Sequence, residues 1–471
     1  MRKRQAPLIL EDIDITDYAA EGKAIARHEG KVIFVSGAVP GDRARLQVTK
    51  NKKDWAEARV LEITKPSADR VQPFCRHFGT CGGCKWQMLP YPKQLQYKQQ
   101  EAEQNLLRIG KVEIPEFLPI IGADADTRYR NKLEFTFSNK RYLRPEELNT
   151  GVEVAPENAL GYHAPRIFDK VIDIKECFLM DDVNNQVRNR IREIAEEHGF
   201  SFYDIRQHTG WLRNIIIRYC STGELMVNIC LNNEDEANRK ILLDALLASV
   251  PSISTLLYTI NPKWNDSIYD LEPQVYYGPG YVMEKLGDCS FIISPKSFFQ
   301  TNSGQAKKLY DVVRDFAQLS GSEIVYDLYC GTGSISIYVA SGAKKLIGVE
   351  LVEDAIVDAR KNAALNQVSH AEFFAGDVIK VCTDAFFDKH GRPDLVITDP
   401  PRAGMHEKLV NKLLDMAAPR IVYVSCNTAT QARDISLLSE KYQVEKIQPV
   451  DMFPHTHHIE SVALLSLRSS N

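Results

Sequence analysis

The stretch "EIVYDLYCGTGSISIYVA", residues 323–340, runs an apolar strand into a glycine loop and then into a helix. The strand ends near Asp327, and Gly331 and Gly333 lie in the loop. Glycine there lets the backbone approach a ligand closely, and the helix N-terminus adds a favourable dipole. Downstream, "KLIGVEL", "AEFFAGD", "DLVITDPP" and "RIVYVSC" are apolar strands, and "EDAIVDARKNAAL" is a helix between the first two. Strands alternating with helices predict a parallel, doubly wound sheet. The dinucleotide pattern would want a third glycine where Ser336 stands, so NAD is disfavoured. The second strand ends at Glu350, where an acid can accept both hydroxyls of a ribose. Asp377 ends the third, where an adenine edge would lie.

This order of strand, glycine loop, helix, strand and acid resembles the S-adenosylmethionine-dependent methyltransferase fold. The fourth strand ends "TDPPRAG". Enzymes that methylate exocyclic amines carry an aromatic after the proline pair; here Arg402 follows it, which disfavours amine chemistry. The fifth strand brings Cys426 to its carboxyl end, over the crevice where such folds bind ligands. A helix starting near Thr428 is expected to lower the thiol pKa through its dipole. Carbon 5 of uracil is a poor nucleophile, and thiolate addition at carbon 6 makes it enolate-like. A base must then remove the carbon 5 proton, and "HTHHIE" offers Glu460, with His455, His457 and His458 beside it. Those histidines are also weighed as metal ligands, without a second cluster to support them.

Upstream, residues 1–70 read as short strands of a small barrel, with Ala44, Leu46 and Val48 alternating in one strand and Ala56, Ala58 and Val60 in another. Arg43, Arg45, Lys50, Lys52, Lys53 and Arg59 fall outward around Trp55, a candidate RNA face. Residues 71–295 read as an α+β domain with an antiparallel sheet, and residues 296–471 as the methyltransferase domain. The net charge of −4 means that any basic surface is local. No run is apolar enough to span a membrane, and the basic start carries only "PLIL" before acids begin, so neither a membrane span nor a secretory signal is expected. Ten cysteines in such a chain argue for a reducing compartment, and clustered thiols there are metal ligands more often than disulfides. Cys75, Cys81 and Cys84 are such a cluster.

Taken together, "SFFQTN", "DLYCGTG", "DPPRAG", "VSCN" and "HIE" resemble the RNA uracil-5 methyltransferases of the RumA and TrmA type, over nearly the full length. The resemblance implies a TRAM-like barrel, a central domain and a C-terminal methyltransferase domain. It implies that Gln300, Tyr329, Glu350, Asp399 and Asp377 contact the methyl donor beside Gly331 and Gly333, that Cys426 is the nucleophile, and that Glu460 is the base. Ser334 stands where relatives often carry asparagine, and Thr428 replaces a usual proline. The cysteine spacing matches the cluster-bearing branch, which implies a [4Fe–4S] cluster on Cys75, Cys81, Cys84 and Cys177; a four-cysteine zinc site is the alternative. The implied substrate is a uridine of structured RNA in the cytoplasm, 23S ribosomal RNA first and tRNA second, flipped out of its stack. Phe298 is a candidate stacking surface, and Arg128, Arg130 and Lys132 are candidate phosphate contacts. No obligate protein partner is expected. A non-catalytic RNA-binding factor and a cytosine C5 enzyme are the competing readings.

Overall fold

The computed structural model describes residues 8–144, 147 and 157–469; the basic opening, residues 1–7, lies outside them. Strands β1 (Ile9–Tyr18), β2 (Ala24–His28), β3 (Lys31–Ser36), β4 (Arg43–Asn51) and β5 (Trp55–Lys65) close a barrel in the order β1-β2-β3-β5-β4. The two-residue alternation buries Ala44, Leu46, Ala56 and Ala58 inside it. The basic side chains point outward, but several are answered by acids. Arg43 pairs with Asp12 and Asp14, Arg45 approaches Glu62, and Lys50 approaches Glu57 while its Nζ lies 4.7 Å from the Trp55 ring centroid. The expected basic face is thus largely a charge-balanced one.

After the barrel come the cysteine loop and helix α1 (Tyr91–Asn105), then the short strand β6 (Glu116–Phe117). The central sheet is built from β7 (Lys132–Ser138), β8 (Ala159–His163), β9 (Val171–Asp173), β10 (Leu212–Tyr219), β11 (Leu225–Leu231), β12 (Ile253–Ile260) and β13 (Gln274–Tyr277). Its order is β13-β12-β11-β10-β7-β8-β9. Helices α2 (Val183–Glu197) and α3 (Glu236–Ser249) share its core. One pair departs from the antiparallel expectation: β11 and β12 run parallel. Helix α3 is the crossover between them, and a helical crossover returns the chain in the same direction.

The hairpin β14 (Val282–Leu286) and β15 (Cys289–Ile293) buries Val282, Phe291 and Ile293 in the same core as the C-terminal helices α4 (Ser303–Ala317), α5 (Ser334–Val339) and α6 (Glu353–Leu365). The remaining strands are β16 (Ile324–Leu328), β17 (Lys345–Glu350), β18 (Ala371–Ala375), β19 (Leu395–Thr398), β20 (Arg420–Ser425), β21 (Tyr442–Val450) and β22 (Glu460–Leu467). They form a sheet of order β18-β17-β16-β19-β20-β22-β21-β6. Helices α7 (Glu407–Met416) and α8 (Thr428–Leu438) pack on it. Five strands, β16 to β20, are parallel, as expected. Strand β22 runs antiparallel between β20 and β21, and β6 closes the edge from the central segment. The boundaries drawn at 70/71 and 295/296 therefore follow chain order, whereas packing assigns β6 and the β14–β15 hairpin to the C-terminal unit. Among the described residues, no helix is long and apolar enough to cross a membrane.

Candidate active site

Strand order reverses between β16 and β19, and the crevice lies over their carboxyl ends. Tyr329, in the left-handed region at φ 65°, turns the chain out of β16, and Gly331 and Gly333 follow at φ 53° and 76°. A Cβ added to Gly331 would meet no atom within 4 Å, so the loop bounds open space. Glu350 ends β17 and accepts hydrogen bonds from the N–H groups of Gly331 (3.3 Å) and Val352 (3.0 Å). Asp377 caps the next helix by accepting from Ile379 N–H at 2.8 Å. Burial first, then the charges of Asp377 and Glu350, raise the Tyr329 pKa, which places both acids around that ring. Ser334 opens α5 with its hydroxyl 2.8 Å from Tyr310 OH. A glycine loop edged by an acid at the end of β17 fits the sugar and amino-acid portions of S-adenosylmethionine.

Cys426 and Glu460 are brought together by topology. Strand β20 ends at Ser425, β22 begins at Glu460, and Ser425 pairs with Ser461 in antiparallel register. The edge where the parallel strands end is therefore the edge where β22 starts. Asp399, just after β19, completes the group. Burial pushes the Asp399 carboxyl up to about 7, with Asp327 adding repulsion, and Glu460 goes well above the usual range through burial and Asp399. Helix α8 does begin at Thr428, and Asn427 supplies its cap by accepting from Ala429 and Thr430 N–H. The expected drop in the thiol pKa is nevertheless overturned. Burial, then Glu460 and Asp399, push Cys426 up to about 11, and Arg402 opposes them only in part. Desolvation and two acids outweigh one helix N-terminus.

Two residues of this site were not singled out from the sequence as site residues. Tyr310 lies at core spacing on α4 and reads as packing, yet it is the partner of Ser334. Asp327 reads as a strand end, yet it accepts from both N–H (3.1 Å) and Oγ (2.5 Å) of Ser336 and so anchors α5 from below.

Gln300 sits on the loop before α4, its carbonyl accepting from Asn131 Nδ2 at 3.0 Å. On the same loop Phe298 is 71% exposed while Phe299 is buried, so Phe298 is surface and not core. Arg128 and Arg130 line one cleft with Asn302 and Ser303, and the Arg130 guanidinium lies 5.0 Å from the Phe453 ring centroid. Lys132 does not join them; it lines a separate cleft with Glu134, Tyr269 and Lys296.

Cys75, Cys81, Cys84 and Cys177 all line one cavity, although Cys177 is remote from the others in the chain. Gly83 N–H lies 3.5 Å from Cys81 Sγ. Arg188, fully buried, donates to Ile174 O and to the side chains of Asn184 and Asn185; burial lowers its pKa to about 10 and the nearby Cys177 opposes that shift. Among the described residues, no three His, Cys, Asp or Glu side chains converge as ligands of one metal ion, and this includes His455, His457 and His458. Burial lowers His457 and His458 to about 4, so both rings are neutral near pH 7.

The tRNA (uracil-5-)-methyltransferase family matches residues 281–468, and the TRAM domain matches residues 11–61. An RNA methyltransferase of Bacteroides thetaiotaomicron is 52% identical over 96% of this chain and all of its own length. One of Chlorobaculum tepidum is 42% identical over 98% of this chain and 97% of its own. Among solved structures, the Pyrococcus abyssi tRNA (uracil-54, C5)-methyltransferase in complex with S-adenosyl-L-homocysteine superposes with a TM-score of 0.75 at 29% identity, covering 96% of this chain and all of that one. With the barrel at its N-terminus and Cys426, Asp399 and Glu460 gathered at one sheet edge, the chain belongs to the tRNA (uracil-5-)-methyltransferase family of RNA methyltransferases and carries a TRAM domain.

Proposed function

We propose that the protein methylates carbon 5 of a uridine in 23S ribosomal RNA through a covalent bond from Cys426 to carbon 6. The observation that carries this is the meeting of Cys426 and Glu460 at the crevice edge, next to Asp399. S-adenosylmethionine, when bound, supplies an electrophilic methyl group; Gln300, Tyr329, Gly331, Gly333, Ser334, Glu350, Asp377 and Asp399 are the residues that would hold it. Phe298, exposed on the loop before α4, offers a face on which the flipped base stacks. Arg128 and Arg130 offer guanidinium groups to the backbone phosphates. Cys426 Sγ adds to carbon 6, which raises electron density at carbon 5. Glu460, as the carboxylate, then accepts the carbon 5 proton.

The four thiols line one cavity without yet converging on a single point, and they are the donor set that would hold a [4Fe–4S] cluster, whose negative charge Arg188 would offset in part. Zinc uses the same ligands. A cluster held there would tie the loop at residues 75–84 to Cys177, a structural part in this reading. Anaerobically purified protein is expected to show broad absorbance at about 400 nm that is lost in Cys84→Ser; a colourless protein carrying zinc overturns the iron assignment.

A tRNA substrate is the second reading, favoured by the superposition on the Pyrococcus abyssi enzyme. Mass mapping of methylated uridines in ribosomal and transfer RNA, with and without the gene, separates the two. A 5-methyluridine that disappears from 23S RNA supports the first reading, one that disappears from tRNA replaces it, and no change in either RNA removes both. With either RNA as its substrate, the enzyme in this reading works in the cytoplasm.

A further inference from the structure

The loop Asp451–Ile459, which connects β21 to β22 and delivers Glu460, is held in an unusual way. Five consecutive carbonyls each accept a hydrogen bond from outside the loop. Gln305 Nε2 donates to Asp451 O (2.8 Å), Asn302 Nδ2 to Met452 O (2.9 Å), and Lys98 Nζ to Phe453 O (3.2 Å). Tyr129 OH donates to Pro454 O (3.0 Å), and the N–H groups of Lys85 and Trp86 donate to His455 O (2.7 and 3.1 Å). These donors come from α4 and its cap, from α1, from the segment before β7, and from the end of the cysteine loop. Surface loops usually leave such carbonyls to water. Gln94, fully buried on α1, is the hub. Its Oε1 accepts from His455 N–H at 2.8 Å, its Nε2 donates to Trp86 O (3.1 Å) and Leu89 O (2.8 Å), and the same nitrogen lies 3.0 Å from His455 Nδ1. His455 is at φ 63°, a left-handed conformation that costs free energy unless its surroundings impose it.

We infer that this clamp sets Glu460 for removal of the carbon 5 proton, and that Gln94, which touches no reacting atom, is a positioning residue for that step alone. The inference rests on the uracil-5 reading above. In the step, the Glu460 carboxylate takes the proton from carbon 5. The electron pair of that C–H bond becomes the C5=C6 double bond, and the C6–S bond breaks with its electrons returning to Cys426 as thiolate. Formation of the C6–S bond and methylation of carbon 5 come earlier and do not require the carboxylate. A displaced base therefore leaves the enzyme bonded to methylated RNA.

The test uses the full-length enzyme, unmodified target RNA and S-adenosylmethionine. Gln94→Ala is expected to methylate bound RNA in the first turnover at close to the wild-type rate. Release should slow by about 10²-fold, the scale of a misplaced reacting group, with a denaturant-resistant protein–RNA species that carries the methyl group. Glu460→Gln should give the same species. A first turnover slowed in step with release and no such species, or release unchanged, overturns the inference. If Gln94→Ala does not fold, His455→Asn takes its place. Asparagine tolerates the left-handed backbone and removes the imidazole beside Gln94, and absence of the stalled species then counts against the clamp. RNA carrying 5-fluorouridine separates the two levels. Wild-type enzyme that forms no adduct with it overturns the uracil-5 reading; wild-type that does, paired with a Gln94→Ala enzyme that never stalls, overturns only the clamp.

Discussion

Cys426→Ala is expected to lower methyl transfer by about 10⁴-fold or more, the scale on which loss of a covalent nucleophile is felt. The adduct with 5-fluorouridine RNA should vanish with it, while affinity for RNA stays close to that of the wild type, because the residues proposed for phosphate and stacking contacts, Arg128, Arg130 and Phe298, are unchanged. Filter binding alongside radiolabelled methyl incorporation checks both. A variant that still forms the adduct sinks the mechanism, and a wild-type protein that binds RNA but methylates no uridine makes this a binding protein with an inherited fold. The same thiol predicts a pH limb. With burial, Glu460 and Asp399 holding it at about 11, the thiolate is a small fraction of the resting enzyme near neutrality. The thiolate is the reactive form and is favoured as pH rises. Alkylation of Cys426 by iodoacetamide in free enzyme should therefore quicken about tenfold per pH unit on approach to that value. Removing a neighbouring negative charge favours the thiolate, so Asp399→Asn should shift the curve to lower pH; a curve already flat above pH 8 contradicts the buried-acid account.

Lys98→Met is expected to be the most destabilising single change outside the reacting groups. Lys98 Nζ and Asp451 Oδ1 are 2.6 Å apart, and both side chains are 0% exposed. Asp451 also accepts from Tyr91 OH (2.9 Å) and from Phe453 N–H (3.0 Å). Removing one partner of such a pair strands the other charge away from water, at a cost of about 3–5 kcal/mol. For a unit of this size that is a fall in Tm on the order of 10 °C. Replacing both partners is gentler, because no uncompensated charge remains, so Lys98→Met with Asp451→Asn should recover part of the loss. Calorimetry on the three variants tests this. If the double variant is as unstable as the sum of its parts, the pair contributes through packing and not through charge.

Much of the C-terminal unit was legible because it is written locally. Continuous apolar runs mark its parallel strands and amphipathic spacing its helices, and Gly331 and Gly333 mark the turn between the first pair. Cys75, Cys81 and Cys84 were legible as a cluster by their spacing, and Cys177 was joined to them only by resemblance; the four line one cavity, although among the described residues no three converge as ligands of one metal ion. The thiol pKa was misread because a helix start is visible in sequence, whereas the desolvation and the two acids that overrule it are assembled from separate strands. Lys132 was grouped with Arg128 and Arg130 by proximity in the chain, and the turn into β7 separates them.

What the chain dictates by itself is each element and the chemistry of each side chain: an α/β unit behind a barrel, a glycine loop, a thiol after one strand and a carboxyl before another. That the thiol and the carboxyl meet is a property of β22 alone. It runs against its neighbours, which turns the start of one strand toward the end of the next. The loop that carries the carboxyl is held by donors from α1, α4 and the cysteine loop, segments far apart in sequence whose convergence only tertiary packing decides, since hydrogen-bond partners distant in the chain leave no periodic trace in it.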